Sequence, residues 1–148
     1  MPAQATMVPP QQLIDAAKAL FLAYNDKNWT AARAAMTPDF VYDEVATARK
    51  VQGADEAIAL WQGWATAFPD SRATFHHELA SGNMVVLEHT WNGTHSGPLQ
   101  MPTGTIPATG KRIDVRACAV MEIVGDKAAL LRHYFDMATL LQQLGVTG

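Results

Sequence analysis

The sequence has little cysteine, little charge and no long apolar run. A single cysteine, Cys118, excludes an intrachain disulfide and a zinc cluster held by thiolates. No run of 18 apolar residues occurs, so no segment is expected to cross a membrane. Residues 1–10 lack the basic and apolar regions of an export signal, which favours a cytoplasmic location. Lys and Arg number 11 against 14 Asp and Glu and form no cluster, so nucleic acid is not an expected partner.

Apolar residues, by contrast, are plentiful. They make up 49% of the 148 residues, whereas charged residues make up 17%, below the usual value of about 25%. The length suits one domain, which we place at 11–148 after a flexible segment at 1–10. So little surface charge suggests apolar area beyond an ordinary core. We therefore expect a lined cavity, a homodimer interface, or both.

The spacing of apolar residues changes once along the chain. Helical spacing predicts helices over about 10–24, 30–36 and 53–68, with a stop and turn at 37–39 followed by a short strand at 40–42. Alternation then predicts strands over about 72–80, 84–95, 113–124 and 128–137, with a loop at 97–111 and a last helical turn near Leu140. In the first long strand it places His77 and Leu79 on the apolar face. Helices followed by an antiparallel meander indicate an α+β fold.

Asp136 is the first candidate for chemistry. Strand alternation puts Arg132, Tyr134 and Asp136 on one face, opposite His133 and Phe135. A carboxylate beside aromatic groups could act as a general base if that face lines a pocket. The alternative is that Asp136 caps the helical turn that follows it, since Asp is a favoured N-cap residue.

The five histidines give no metal-ligand pattern. There is no H-x-H or H-E-x-x-H spacing, and His76 and His77 point to opposite faces of their strand. We therefore expect no metal ion, and satisfied or solvent-facing imidazoles at most positions. His95, beside Gly93 and Gly97, is retained as a candidate proton donor.

Large apolar side chains supply the candidate pocket. Helical and strand spacing make the tryptophans core residues by default, and the alternative is a cavity for a flat polycyclic ligand. The expected pocket residues are Trp61, Trp64, Trp91, Phe40, Tyr42 and Met121.

Four segments in the C-terminal half carry a family resemblance. They are Asn92-Gly93-Thr94-His95-Ser96-Gly97-Pro98, Ile106-Pro107-Ala108-Thr109-Gly110-Lys111-Arg112, Tyr134-Phe135-Asp136 and Leu140-Leu141-Gln142-Gln143-Leu144-Gly145. In this order they resemble the SnoaL-like polyketide cyclases. The resemblance extends over about 13–145.

The resemblance implies a fold, an activity and a set of site residues. The fold is a ketosteroid-isomerase-like cone, in which a curved antiparallel or mixed sheet wraps around three helices and encloses a hydrophobic pocket, often in a homodimer. The activity is a lyase-type or isomerase-type reaction, such as an aldol ring closure, on a hydrophobic carbonyl compound without metal or organic cofactor. Asp136 would be the acid/base, with His95, Tyr134 or Arg132 donating to the enolate.

Two alternatives stay open. One is an epoxide-hydrolase-like or dehydratase-like enzyme on the same fold, in which Asp43 or Glu122 would approach Asp136 to activate water. The other is a dimer that binds a small molecule without converting it, with Asp136 used as a helix cap.

Overall fold

The computed structural model describes residues 8–146. It contains four α-helices and eight strands, with one 3₁₀ turn at Val45–Thr47. The helices are α1 (Pro10–Asn25), α2 (Trp29–Ala34), α3 (Ala54–Ala67) and α4 (Met137–Gln143). The strands are β1 (Met36–Glu44), β2 (Arg49–Gln52), β3 (Arg72–Ser81), β4 (Met84–Thr94), β5 (Leu99–Met101), β6 (Gly104–Ile106), β7 (Arg112–Val124) and β8 (Lys127–Phe135). The predicted α+β class is confirmed.

Six strands form one mixed sheet in the order β2-β1-β8-β7-β4-β3. Every pair in it is antiparallel except β1 and β8, which run parallel. The helices α1, α2 and α3 precede or interrupt the sheet along the chain and cover one of its faces, where most of the apolar core lies. The parallel pair determines the site described below, because it sets Tyr42 beside Leu131 and Glu44 beside His133.

The helices begin and end where the local sequence favours it. Pro10 occupies the first turn of α1, where a backbone N–H has no acceptor within the helix, so the N–H that proline lacks is not needed. Asn28 caps α2 by accepting a hydrogen bond from the Ala31 amide at 3.0 Å. Gly53, with φ of +98°, precedes α3 in a backbone conformation that other residues rarely adopt. None of the helices in the described part of the chain is long and apolar enough to cross a membrane.

The predicted antiparallel meander is confirmed as β3-β4-β7-β8, and β1 adds to it parallel to β8. Two local predictions are wrong. Residues 37–39 lie within β1 rather than in a turn, and the irregular register between Met36 and Val41 shows how the strand accommodates Pro38 without a ladder N–H. The loop at 97–111 contains the hairpin of β5 and β6.

The predicted alternation in β3 fails after Phe75. The register with β4 shifts between Phe75 and His77, which is the signature of an extra residue in one strand. The side chains beyond the shift change faces, so His77 and Leu79 are exposed, and Leu79 is 66% exposed. The exposed His77 lies 3.2 Å from Glu88.

The segment after β4 is fixed against the end of α3. The amides of Ser96 and Gly97 both donate to the Ala67 carbonyl at 3.1 Å. A Cβ atom on Gly97 would overlap the backbone carbonyl oxygen of Thr66. This close approach requires glycine.

Gly97→Ala should therefore lower the thermal midpoint of unfolding, since backbone must move to relieve the overlap. The matched control is Gly63→Ala in α3, where a Cβ would meet nothing within 4 Å. In that variant the free energy of unfolding should rise by about 0.5–1 kcal/mol, because alanine is more favourable than glycine in a helix interior. Thermal denaturation followed by circular dichroism measures both, and equal effects would contradict the close approach.

Candidate functional site

A cavity of about 70 Å³ opens between the helices and the sheet. This is several times the space that one water molecule needs. Aromatic and aliphatic side chains from α1, α3, α4 and four strands form most of its wall. The lining residues are Leu20, Phe21, Tyr24, Tyr42, Trp61, Trp64, Phe68, Ser71, Trp91, Ile113, Val115, Leu131, His133, Phe135 and Leu140. Such a lining suits an uncharged or mostly apolar small molecule.

His133 is the one histidine of this lining, and a network of polar groups is attached to it. Its Nδ1 lies 2.8 Å from the Tyr42 hydroxyl, which lies 2.9 Å from Glu44 Oε2. On the other side of the ring, Trp91 Nε1 donates to His133 Nε2 at 3.3 Å. Burial raises the pKa of Tyr42 well above its ordinary value of 10.0, and the neighbouring Glu44 charge raises it further. Tyr42 therefore keeps its proton and can donate it to Glu44.

Glu44 is a fully buried carboxylate behind the cavity wall. Besides Tyr42, the indole N–H of Trp64 donates to its Oε2 at 2.9 Å. The hydroxyl of Thr47 donates to Oε1, and Arg49 donates to the same oxygen through Nε at 3.1 Å and Nη2 at 2.7 Å. A buried carboxylate is stable only when it is paired and hydrogen-bonded in this way.

His89 lies behind His133, across the central strand β7. His89 pairs with Ala117 and His133 pairs with Ala119, so only methyl groups occupy the β7 positions beside the two imidazoles. The rings stack with centroids 5.3 Å apart, and their Nε2 atoms are separated by 3.2 Å. His89 Nδ1 lies 3.1 Å from the Leu87 carbonyl oxygen. Small residues on β7 therefore allow two histidines from non-adjacent strands to meet.

Both imidazoles are held neutral by their surroundings. Burial lowers the pKa of His89 from its ordinary 6.5 to about 4, although its bond to Leu87 opposes the shift. Burial also lowers the pKa of His133 well below its ordinary value, and the neighbouring His89 adds to the effect. A neutral imidazole keeps a lone pair, so it can accept a proton from a bound molecule.

Asp136, the sequence-predicted base, lies outside this cavity wall. It is exposed and is the N-cap of α4, where its carboxylate accepts hydrogen bonds from the Thr139 amide at 3.0 Å and the Thr139 hydroxyl at 2.6 Å. These bonds stabilise the ionised carboxylate and lower its pKa below its ordinary value. The geometry is that of the capping alternative, and it holds the helix that contributes Leu140 to the cavity.

The proposed donors are also placed elsewhere. Alternation along β8 turns Arg132 and Tyr134 away from the face that bears His133, and Tyr134 is 43% exposed. His95 is buried and stacks on Phe68 with centroids 5.1 Å apart, and Thr109 donates to its Nδ1 through the backbone amide at 3.2 Å. Its Nε2 has no hydrogen-bond partner among the described residues, and it does not reach the wall. His95 thus fixes the segment near 109 rather than facing the cavity.

Four of the six expected pocket residues are in the wall, and two are not. Trp61, Trp64, Trp91 and Tyr42 line the cavity. Phe40 and Met121 are packed in the core cluster behind it. Glu44, His89 and His133 were not singled out from the sequence as site residues, although Glu44 follows Phe40 and Tyr42 at a spacing of two, which places a carboxylate on an apolar strand face.

Metal ligation has no geometric support in residues 8–146. No group of three or more histidine, cysteine, aspartate or glutamate side chains is placed to hold a metal ion there. The wall of the cavity itself includes no carboxylate.

Replacing Glu44 with alanine should be strongly destabilising. Five hydrogen bonds would be lost and the Arg49 charge would be left without its partner, so the free energy of unfolding should fall by about 3–5 kcal/mol. Urea denaturation measures this loss. Asp55→Ala, which removes the exposed ion pair with Arg33, should change it by less than about 1 kcal/mol, and a similar loss in both variants would contradict the role of Glu44.

Stability should also fall as the pH is lowered below 6.5. The unfolded chain binds protons at His89 and His133 near that pH, whereas the folded protein does not, so protons favour unfolding. Each of the two histidines should lower the free energy of unfolding by about 1.4 kcal/mol when the pH is lowered from 7.5 to 5.5. Urea denaturation at the two pH values tests this, and His89→Gln should remove about half of the loss. An unchanged pH dependence in that variant would show that His89 is not held neutral.

The comparisons with known proteins agree on the family and the fold. The family model for SnoaL-like polyketide cyclases matches residues 14–144. A candidate SnoaL-like polyketide cyclase from Jannaschia sp. CCS1 is similar in structure, with a TM-score of 0.81 and 19% identity over 99% of this chain and 100% of that one. No curated protein matches the chain.

Two further solved structures have the same fold. A ketosteroid-isomerase-like protein of Catenulispora acidiphila, solved with trimethylamine, has a TM-score of 0.76 and 16% identity over 90% of this chain and 94% of that one. An LEH-like epoxide hydrolase of Mycobacterium tuberculosis has a TM-score of 0.71 and 21% identity over 91% of this chain and 90% of that one. At these identities the likeness concerns the fold, and the predicted ketosteroid-isomerase-like cone is confirmed.

Proposed function

We propose that this chain, which belongs to the SnoaL-like polyketide cyclase family, performs acid/base chemistry on a hydrophobic carbonyl compound, with His133 as the base. The observation that carries the proposal is the placement of a neutral imidazole in the wall of an apolar cavity, backed by a buried Tyr42–Glu44 pair. The proposal needs no metal and no organic cofactor.

The proposed reaction begins with proton removal beside a carbonyl group. His133 takes the proton from the carbon, and the electron pair of the broken C–H bond moves to the carbonyl oxygen, giving an enolate. The indole N–H of Trp91, also in the wall, is the nearby donor for that oxygen. In a ring closure the enolate carbon attacks a second carbonyl group, and the new alkoxide takes the proton back from His133. In an isomerisation the proton returns to a different carbon.

The apolar lining of the cavity favours this chemistry. An enolate and an imidazolium attract each other more strongly in an apolar environment than in water. The wall also restricts how a flexible chain can fold, which a ring closure requires.

Binding without conversion is the second candidate. The observation that favours it is Asp136, which is engaged as a helix cap as that alternative requires. The hydrolase alternative needs two carboxylates around one water molecule, and it is supported here only by likeness of fold. Homodimer formation stays a prediction from the low charge content and the family resemblance.

Deuterium exchange distinguishes these candidates without knowledge of the natural substrate. 2-Indanone is a compact hydrophobic ketone with acidic C–H bonds, and its exchange in D₂O is followed by proton NMR. We expect the protein to accelerate exchange and His133→Gln to reduce the acceleration by about 10²–10⁴-fold. Asp136→Asn is the matched control and should leave it unchanged.

The reverse pattern, with activity lost in Asp136→Asn and retained in His133→Gln, would assign the base to Asp136 instead. Bound ketone without any accelerated exchange would favour the binding alternative. Binding is measured separately, by the quenching of tryptophan fluorescence that a ligand beside Trp61, Trp64 and Trp91 should cause.

A further inference from the structure

Four polar contacts run in line from Glu44 to the backbone of β4. Glu44 Oε2 lies 2.9 Å from the Tyr42 hydroxyl, which lies 2.8 Å from His133 Nδ1. His133 Nε2 lies 3.2 Å from His89 Nε2, and His89 Nδ1 lies 3.1 Å from the Leu87 carbonyl. Each contact needs one proton to be a hydrogen bond.

The line holds three protons for these four contacts. An ionised carboxylate carries none, whereas the tyrosine and each neutral imidazole carry one. One contact therefore has no proton while Glu44 is charged and both imidazoles are neutral.

The neighbours determine which contact this is. The Leu87 carbonyl only accepts, so the His89 proton is on Nδ1. The Trp91 indole only donates, so His133 Nε2 must be unprotonated and its proton is on Nδ1, directed at Tyr42. Tyr42 then donates to Glu44. The two Nε2 atoms therefore face each other with lone pairs only, 3.2 Å apart.

We propose that His89 is a positioning residue that holds the substrate proton jointly with His133, between the two Nε2 atoms. This inference rests on the proposed function of His133 as the base. The proton leaves the substrate carbon, the C–H electrons remain on the substrate as the enolate, and the pair becomes a single cation with one shared proton. The same proton is returned at the end of the reaction, so the protein is unchanged.

Proton uptake also changes what Trp91 can do. Once the Nε2 lone pair of His133 is engaged with the shared proton, the Trp91 N–H loses its acceptor. A donor left unpaired in a buried site is costly, and the enolate oxygen is the new acceptor that relieves the cost. The base and the oxyanion donor are thus coupled through one nitrogen atom, and the donor becomes free as negative charge develops.

The charges around the pair are few. Glu44 lies beyond Tyr42 and is paired with Arg49. On the His89 side, His76 lies on β3, and Lys18 on α1, over the Phe75 ring, is paired with Glu78 of β3 at 2.7 Å. Phe21, Phe75 and Trp91 cover the His89 ring. The pair is therefore neutral when the cavity is empty and becomes cationic most readily beside an enolate.

Nitrogen NMR of ¹⁵N-histidine-labelled protein tests the pair directly and without a ligand. At pH 7.5 both histidines should be in the Nδ1–H form, with unprotonated Nε2 atoms. On acidification one proton should enter in a single step below pH 5.5, and both Nε2 signals should move together. Either histidine in the Nε2–H form at pH 7.5, separate titration steps, or no step before unfolding would overturn the proposal.

Two variants separate this effect from a structural one. His89→Gln places an amide N–H near His133 Nε2 but cannot accept the proton, so the step should disappear while the protein stays folded. His77→Gln removes an exposed histidine on β3 and should leave the step intact. Persistence of the step in His89→Gln, or its loss in His77→Gln, would contradict the shared proton.

The exchange assay connects the pair to catalysis. His89→Gln should slow 2-indanone exchange at least tenfold with an unchanged dissociation constant, because the ketone contacts the cavity wall and His89 lies behind it. An unchanged rate would overturn the role of His89. If the wild-type protein shows the single titration step of the two histidines but does not accelerate 2-indanone exchange, the proposed function is wrong and the shared proton of the pair still stands.

Discussion

The buried charge of Glu44 is the constraint on which the site depends. A carboxylate without solvent exposure must be compensated by several donors. Five hydrogen bonds come from the strand that carries Glu44, from the 3₁₀ turn, from β2 and from α3. The same charge therefore joins the edge of the sheet to the helix that lines the cavity. It also orients the Tyr42 hydroxyl, and through it the proton on His133.

The second constraint is the size of the residues on β7. Ala117 and Ala119 stand between the two histidine-bearing strands, and each is buried. Larger side chains at these positions would separate the imidazoles, whereas two methyl groups let them stack. The cavity and the polar line thus have a common origin in a central strand that leaves space on its inner face. Aromatic side chains of Phe21 and Trp91 then seal the pair from water.

Asp136 shows that an aspartate at the end of a strand is compatible with two roles, a general base and a helix N-cap. Asp is both a common general base and a favoured N-cap, and here it directly precedes a helix. Its two hydrogen bonds to Thr139 stabilise the ionised form, so its basicity is low. The neighbouring residues Phe135 and Leu140 reach the cavity. The segment thus contributes apolar side chains to the cavity wall, whereas its carboxylate stays outside the cavity.

The sequence by itself determined the α+β class, the positions of most helices and long strands, and four aromatic residues of the cavity wall. These follow from local periodicity, because the side chains of a helix or strand repeat at a fixed spacing whatever the element packs against. The tertiary structure alone decided the parallel pairing of β1 with β8, the shift in β3 that exposes His77 and Leu79, and the meeting of His89 with His133. These features depend on register between strands that lie far apart along the chain, and local spacing carries no information about register.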